Sequence, residues 1–279
     1  MKAVKLMLLS FLIAILFISA IPVAAAPPTE SPAKGPPVFE KAVFIHYGQD
    51  FAPGKPSGTP GNGPPGGKDK EDELYSYSRV HWADGDIPVS YWINMASSPL
   101  DSITVEEGIT ASFDTWEGDE GSYIDFTCEG ITALFTPGLN VEQPDLVNVV
   151  GWADLSAQYP SAIGITITWS IRGKKEIVDC DTVLNSASYF AWTQYDGDGV
   201  PNDTWLPGYD NDTYFDADLQ NIMTHEAGHW LMLNDLYDDT ETVKQQTMYG
   251  YALDGELKSR SLETGDVDGV RKIYTGATK

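Results

Sequence analysis

Cysteine and basic residues are scarce in this chain. Only Cys128 and Cys180 occur among its 279 residues. Two thiols cannot complete a cysteine-based structural metal site, so a zinc ribbon is excluded. One disulfide between them is expected, and the alternative is two separate buried thiols. Lys and Arg number 17 against 41 Asp and Glu, for a formal net charge of −24. That charge repels polyanions and anionic lipid, so neither nucleic acid nor a membrane surface is an expected partner. Past the N-terminus no apolar run is long enough to span a bilayer. No internal repeat is visible. The chain does have apolar residues, 42% of the total with 11% aromatic, which is enough to bury a core. The length suits one good-sized domain or two small ones.

The N-terminus has three parts. Residues 1–5 carry Lys2 and Lys5, residues 6–21 are apolar apart from Ser10 and Ser19, and Ala24, Ala25 and Ala26 follow Pro22. Residues 1–26 therefore read as a secretory signal peptide, with an uncleaved anchor as the alternative, and the mature chain is expected to be secreted. Residues 27–74 are rich in Pro and Gly and read as a leader or propeptide without a packed core. Within them Val38, Phe39 and residues 42–47 form an apolar island, expected to be a short strand that docks elsewhere. The main domain is expected over 75–279.

Within that domain the patterning predicts a strand over 87–94 and a helix over 102–116. Further strands are expected near 124–128, 147–152, 163–171 and 175–184. A second helix is expected over 217–233, capped by Asp216, and a last one over 262–274. The expected fold class is α/β (α+β): one twisted, mostly parallel mixed sheet, a backing helix, an active-site helix and a small C-terminal subdomain.

The sharpest motif is His225-Glu226-Ala227-Gly228-His229. Residues four apart on a helix share a face, so both imidazoles can meet one metal ion. Glu226 lies beside them, placed to take a proton from water that zinc has acidified. A catalytic zinc needs a third protein ligand. Asp235, six residues past His229, is the preferred choice, with Asp238 and Asp239 nearby. Glu256 or Glu263 would serve in a different class of zinc hydrolase. The remaining histidines, His46 and His81, lie far upstream.

With Asp235 and the run Thr247-Met248-Tyr249-Gly250-Tyr251, this motif resembles that of the metzincins. It is most similar to the matrixin-like and snapalysin-like secreted peptidases. The strand at 87–94, Thr115-Trp116-Glu117 and Val183-Leu184-Asn185 extend the resemblance over about Trp82 to Tyr274. The resemblance implies a zincin fold and zinc-dependent cleavage of protein or peptide substrates by a monomer. It implies that Met248 forms the floor beneath the zinc and that Tyr249 or Tyr251 lies near the substrate. It also implies a specificity pocket between the active helix and the segment after Met248.

Two departures stand out. Met232 replaces the family's glycine three residues past the second histidine. A bulky residue there resists positive φ, so the turn is expected at Asn234 instead. The leader has no cysteine, so latency would need another ligand, such as His46 or a leader carboxylate. Matrixin-like domains commonly bind calcium, and Asp196, Asp198, Asn202 and Asp203 offer hard oxygen ligands. The alternative there is an acidic solvated turn. Residues 202–204 and 211–213 match N-glycosylation sequons.

Overall fold

The computed structural model describes residues 36–49, 74–134, 136–194 and 214–275. The expected signal peptide, the four calcium candidates Asp196, Asp198, Asn202 and Asp203, and both sequons lie outside these residues.

Seven strands form one sheet in the order β3-β2-β4-β6-β5-β1-β9. They are β1 (Phe39–Gly48), β2 (Val89–Ile93), β3 (Phe126–Ile131), β4 (Val149–Ala153), β5 (Ala162–Ile171), β6 (Glu176–Asn185) and β9 (Tyr251–Ala252). The β2–β3, β2–β4, β4–β6 and β1–β9 pairings are parallel, and β5 runs antiparallel to both β6 and β1. Two short strands missed by the sequence patterning, β7 (Phe190–Thr193) and β8 (Phe215–Asp218), make a separate parallel pair.

Helix α1 (Ser102–Glu117) starts where the Asp101 carboxylate accepts from the Ile103 and Thr104 amides. Its Val105, Ile109, Phe113 and Trp116 recur at helical spacing and are buried against the sheet and α2 (Leu219–Trp230). Trp116 Nε1 donates to the Thr224 carbonyl at 2.9 Å and locks the two helices together. A second apolar cluster, with Ile165, Ile167, Trp169 and Val183, packs on Leu139, Val141 and Tyr159.

Several expectations need correction. Helix α2 is shorter than 217–233: its cap is Asp218, which accepts from the Asn221 amide at 2.8 Å, and Asp216 belongs to β8. The region after Asp235 holds α3 (Glu241–Lys244), β9 and α4 (Thr264–Ile273). It is not a separate subdomain, because Val270 and Tyr274 sit in the main core and residues 37–279 form one compact unit.

The segment upstream of residue 75 also takes part in the fold. The apolar island is a full strand, β1, paired with β5 over nine residues from Phe39–Ile171 to Tyr47–Ala162. The compact unit therefore begins at Pro37. Its alternating apolar residues suit a half-buried strand, and a flanking β5 edge was free to pair with it.

The expected disulfide is absent, and Cys128 and Cys180 are free thiols. Cys128 lies on β3 and Cys180 on β6, with β2 and β4 between them. Three inter-strand spacings amount to about 14 Å. A disulfide requires Cα atoms within about 7 Å. The Cys180 Sγ instead lies 3.2 Å from Thr168 Oγ1 in the core.

Candidate metal centre

Helix α2 carries the motif across the inner face of the sheet. His225, Glu226 and His229 are fully buried. The His225 Nδ1 donates to the Thr247 carbonyl at 2.8 Å, and the His229 Nδ1 to the Leu233 carbonyl at 2.7 Å. A carbonyl can only accept, so each Nδ1 carries a proton, and in the neutral ring each Nε2 presents a lone pair.

Helix α2 ends in a backbone motif that turns the chain back towards these nitrogens. The Leu233 amide bonds to the Gly228 carbonyl at 3.1 Å and the Met232 amide to the His229 carbonyl at 2.9 Å, the double closure of a Schellman turn. Its left-handed position is Met232, at φ 59°, and not Asn234. The expected resistance of a bulky residue is overcome by tertiary contacts. The Met232 side chain is buried and its carbonyl accepts from the Ser78 amide at 3.1 Å. Asn234 is held by Ser76 and Ser78.

This path delivers Asp235. Its Oδ1 lies 3.1 Å from His225 Nε2 and 3.4 Å from His229 Nε2. All three atoms are buried and without hydrogen-bond partners, and they lie within 4.8 Å of one another. Two imidazole nitrogens and a carboxylate oxygen converging in this way fit a metal ion. Burial opposes ionisation of Asp235, but His229 and His225 outweigh it and hold the carboxyl far below the usual range. Burial likewise disfavours protonated His229, and Asp235 and Glu226 more than reverse this. The other Asp235 oxygen accepts from the Tyr237 hydroxyl at 3.1 Å.

Glu226 is held from the sheet. Thr166 on β5 donates to its Oε2 at 2.6 Å, Thr182 lies 2.8 Å from Thr166, and Trp230 Nε1 donates to Thr182 at 2.9 Å. Each hydroxyl has one proton, so the chain runs one way, from indole through two hydroxyls to the carboxylate. Gly164 makes room for this carboxylate, because a Cβ there would stand 2.8 Å from Glu226 Oε1. Burial would raise the Glu226 pKa, but His46, His229 and His225 together hold it below the ordinary value.

Met248 is buried beneath α2, with its sulfur in the space that a Cβ on Gly228 would fill. Its loop is pinned by Asp266 of α4, a fully buried carboxylate that accepts from the Thr247 amide at 2.7 Å and the Met248 amide at 3.2 Å. Tyr251 lies on β9, with its ring 5.3 Å from Tyr237, whereas Lys258 sits over the Tyr249 ring.

The alternative acids are engaged elsewhere. Glu256 pairs with Lys258 at 3.0 Å, Glu263 caps α4, and Asp238 and Asp239 are exposed. His81 bonds to the Tyr77 hydroxyl at 2.8 Å.

His46 does join the site, from β1. Its ring stacks on His225 at 3.8 Å and its Nδ1 lies 3.3 Å from Glu226 Oε1. Phe44, two residues earlier, stacks on His229 at 4.1 Å. Burial, reinforced by His225, depresses the His46 pKa to about 4.

Sequence reasoning missed Thr166, Thr182, Gly164, Tyr237 and Asp266. Nothing local marks the first three, since their roles depend on which strand lies under α2. Asp266 was findable only as an acid in an otherwise amphipathic helix. The chain matches no family model, and no curated protein matches it.

Proposed function

We propose that the protein is a secreted zinc-dependent endopeptidase. The observation that carries this reading is the convergence of three unpartnered buried atoms, His225 Nε2, His229 Nε2 and Asp235 Oδ1, beside the buried carboxylate of Glu226. A site of two histidines, one carboxylate and a nearby base suits zinc and hydrolysis. Zinc, when bound, supplies a Lewis acid that polarises a carbonyl and lowers the pKa of water.

The residues of the chain do the rest. Glu226, aimed by Thr166, takes the proton from the attacking water and hands it to the leaving amine. The Thr247 and Leu233 carbonyls keep His225 and His229 in the metal-binding tautomer. Tyr237 fixes the free oxygen of Asp235. Strand β5 pairs with β1 along this edge, so an extended peptide could use its backbone groups, recognising main chain before side chain, only in place of β1. Export rests on the apolar run at 6–21 and the alanines that follow it.

The test is hydrolysis of casein and a mixed peptide set. It is run with β1 in place and after an engineered cut between Gly48 and Leu74, beside Glu226→Ala and chelated samples. Cleavage that is lost in both controls and restored by zinc supports the reading. A folded, zinc-loaded, cut protein that cleaves nothing refutes it.

A further inference from the structure

Glu226 is tied to the sheet by a route that begins on its own helix. Trp230 stands one turn further along α2, on the same face as Glu226. Thr166 and Thr182 are direct partners across the antiparallel β5–β6 pairing. All four residues are fully buried. Their side chains close a circuit from α2 to β6, from β6 to β5, and from β5 back to α2. At one end the indole can only donate, and at the other the ionised carboxylate can only accept. Each hydroxyl between them therefore gives its one proton towards Glu226.

The strands do not need these hydroxyls. Valine has nearly the shape of threonine, suits a strand equally well and buries no polar group. A buried indole does need an acceptor, but Trp82, Trp116 and Trp192 each find one in a backbone carbonyl. Even for Trp230 one hydroxyl would be enough. The second, on Thr166, gives its proton to Glu226 Oε2 at 2.6 Å.

The two carboxylate oxygens are therefore not equivalent. Oε2 is held by Thr166. Oε1 lies against Gly164, two residues earlier on the same face of β5, where a Cβ would stand 2.8 Å away. Oε1 also faces the His46 ring, 3.3 Å from its Nδ1, and that ring stacks on His225. Oε1 is thus turned to the side on which His225 lies.

We propose that Thr166, Thr182 and Trp230 are positioning residues that hold Oε2, so that Oε1 takes the proton from the attacking water and gives it to the leaving amine. The proton transfer rests on the endopeptidase reading, whereas the hold on Oε2 does not. Trp230 and Thr182 act through Thr166, and Thr166 acts through Glu226. Turning Oε2 away would leave a buried hydroxyl without its acceptor, so the carboxylate stays in one orientation.

The experiment uses the full zinc-loaded chain, cut between Gly48 and Leu74, with steady-state kinetics on a peptide it cleaves. Thr166→Val should lower kcat about ten- to a hundredfold, since a misplacement of about 1 Å costs about 100-fold, and should leave KM and zinc content near those of the parent. Thr166→Ser keeps the hydroxyl and should recover most of that loss. Thr182→Val should lower kcat in the same way by a smaller factor. An unchanged kcat in Thr166→Val, or an equal loss in Thr166→Ser, overturns the proposal. A second measurement needs no turnover: urea midpoints of the uncut chain carrying Thr182→Val, Glu226→Ala or both. Because Thr182 is linked to Glu226 through Thr166, the two shifts should not add. Additive shifts overturn the hold on Oε2 at any level of hydrolysis. Non-additive shifts with no hydrolysis in any cut, zinc-loaded sample uphold the hold on Oε2 and sink the endopeptidase reading.

Discussion

Gly164→Ala should separate metal binding from the work of Glu226. Gly164 needs no special backbone conformation, since its φ lies outside the left-handed region. Alanine is therefore tolerated by the strand and restricts the unfolded chain, a gain of about 0.4–1 kcal/mol. The new Cβ would stand 2.8 Å from Glu226 Oε1 and 3.1 Å from its Cδ. The carboxylate is thus about 0.6 Å short of ordinary contact and must move by that much. It has little slack, being held at 2.6 Å by Thr166 on one oxygen. Local overpacking costs about 1–3 kcal/mol, so net stability should fall by no more than about 2.6 kcal/mol. A 1 Å misplacement of a catalytic group costs on the order of 100-fold, so hydrolysis should drop by about ten- to a hundredfold. The three atoms nearest the new methyl all belong to Glu226, not to His225, His229 or Asp235, the proposed zinc ligands. Zinc content by mass spectrometry, the urea midpoint and hydrolysis by the cut form are read together. Full hydrolysis, or loss of zinc along with it, would refute the placement of Glu226 argued here.

Further outcomes follow from other parts of the molecule. Asp235→Asn should weaken zinc binding, read by chelator competition, by more than about 100-fold, because even an outer-shell partner is worth 10- to 100-fold; an unchanged affinity removes Asp235 from the ligand set. Asp266→Ala leaves the buried Thr247 and Met248 amides without acceptors, at about 1–3 kcal/mol each, and should lower the urea midpoint sharply. Burial lifts the Asp179 carboxyl to about 6, and burial with Asp179 beside it lifts Asp181 to about 9. Above the ordinary value of 3.8 the folded chain then binds more protons than the unfolded one, so this pair's contribution to stability falls as pH rises to about 9. Asp181→Asn should flatten that fall in urea midpoints, and an unaltered slope contradicts the assignment. Two thiols should titrate in denaturant without reductant, and Cys180 should be silent in the folded protein; a single oxidised pair contradicts the sheet order.

Much of the site was legible in the chain because it is local. His225, Glu226 and His229 fall within two turns of one helix, and helical geometry alone brings the imidazoles together. Asp235 was within reach because only six residues separate it from His229. The strands from β2 to β6 and helices α1 and α4 were legible from periodicity, since each has one face in the core.

The failures share a different cause. No local pattern states that Cys128 and Cys180 lie on strands three spacings apart, because strand order is set by crossovers and not by sequence proximity. Met232 takes a left-handed turn that its side chain opposes, because core burial and the Ser78 contact compensate. Thr166, Thr182 and Gly164 acquire their roles only when β5 and β6 pass beneath α2. The sequence determined the chemistry on one helix and the hydrophobic faces that fold the sheet. Tertiary structure alone decided that residues 39–48 lie over that chemistry, because an unpaired strand edge accepts any segment that supplies backbone partners and a fitting alternation.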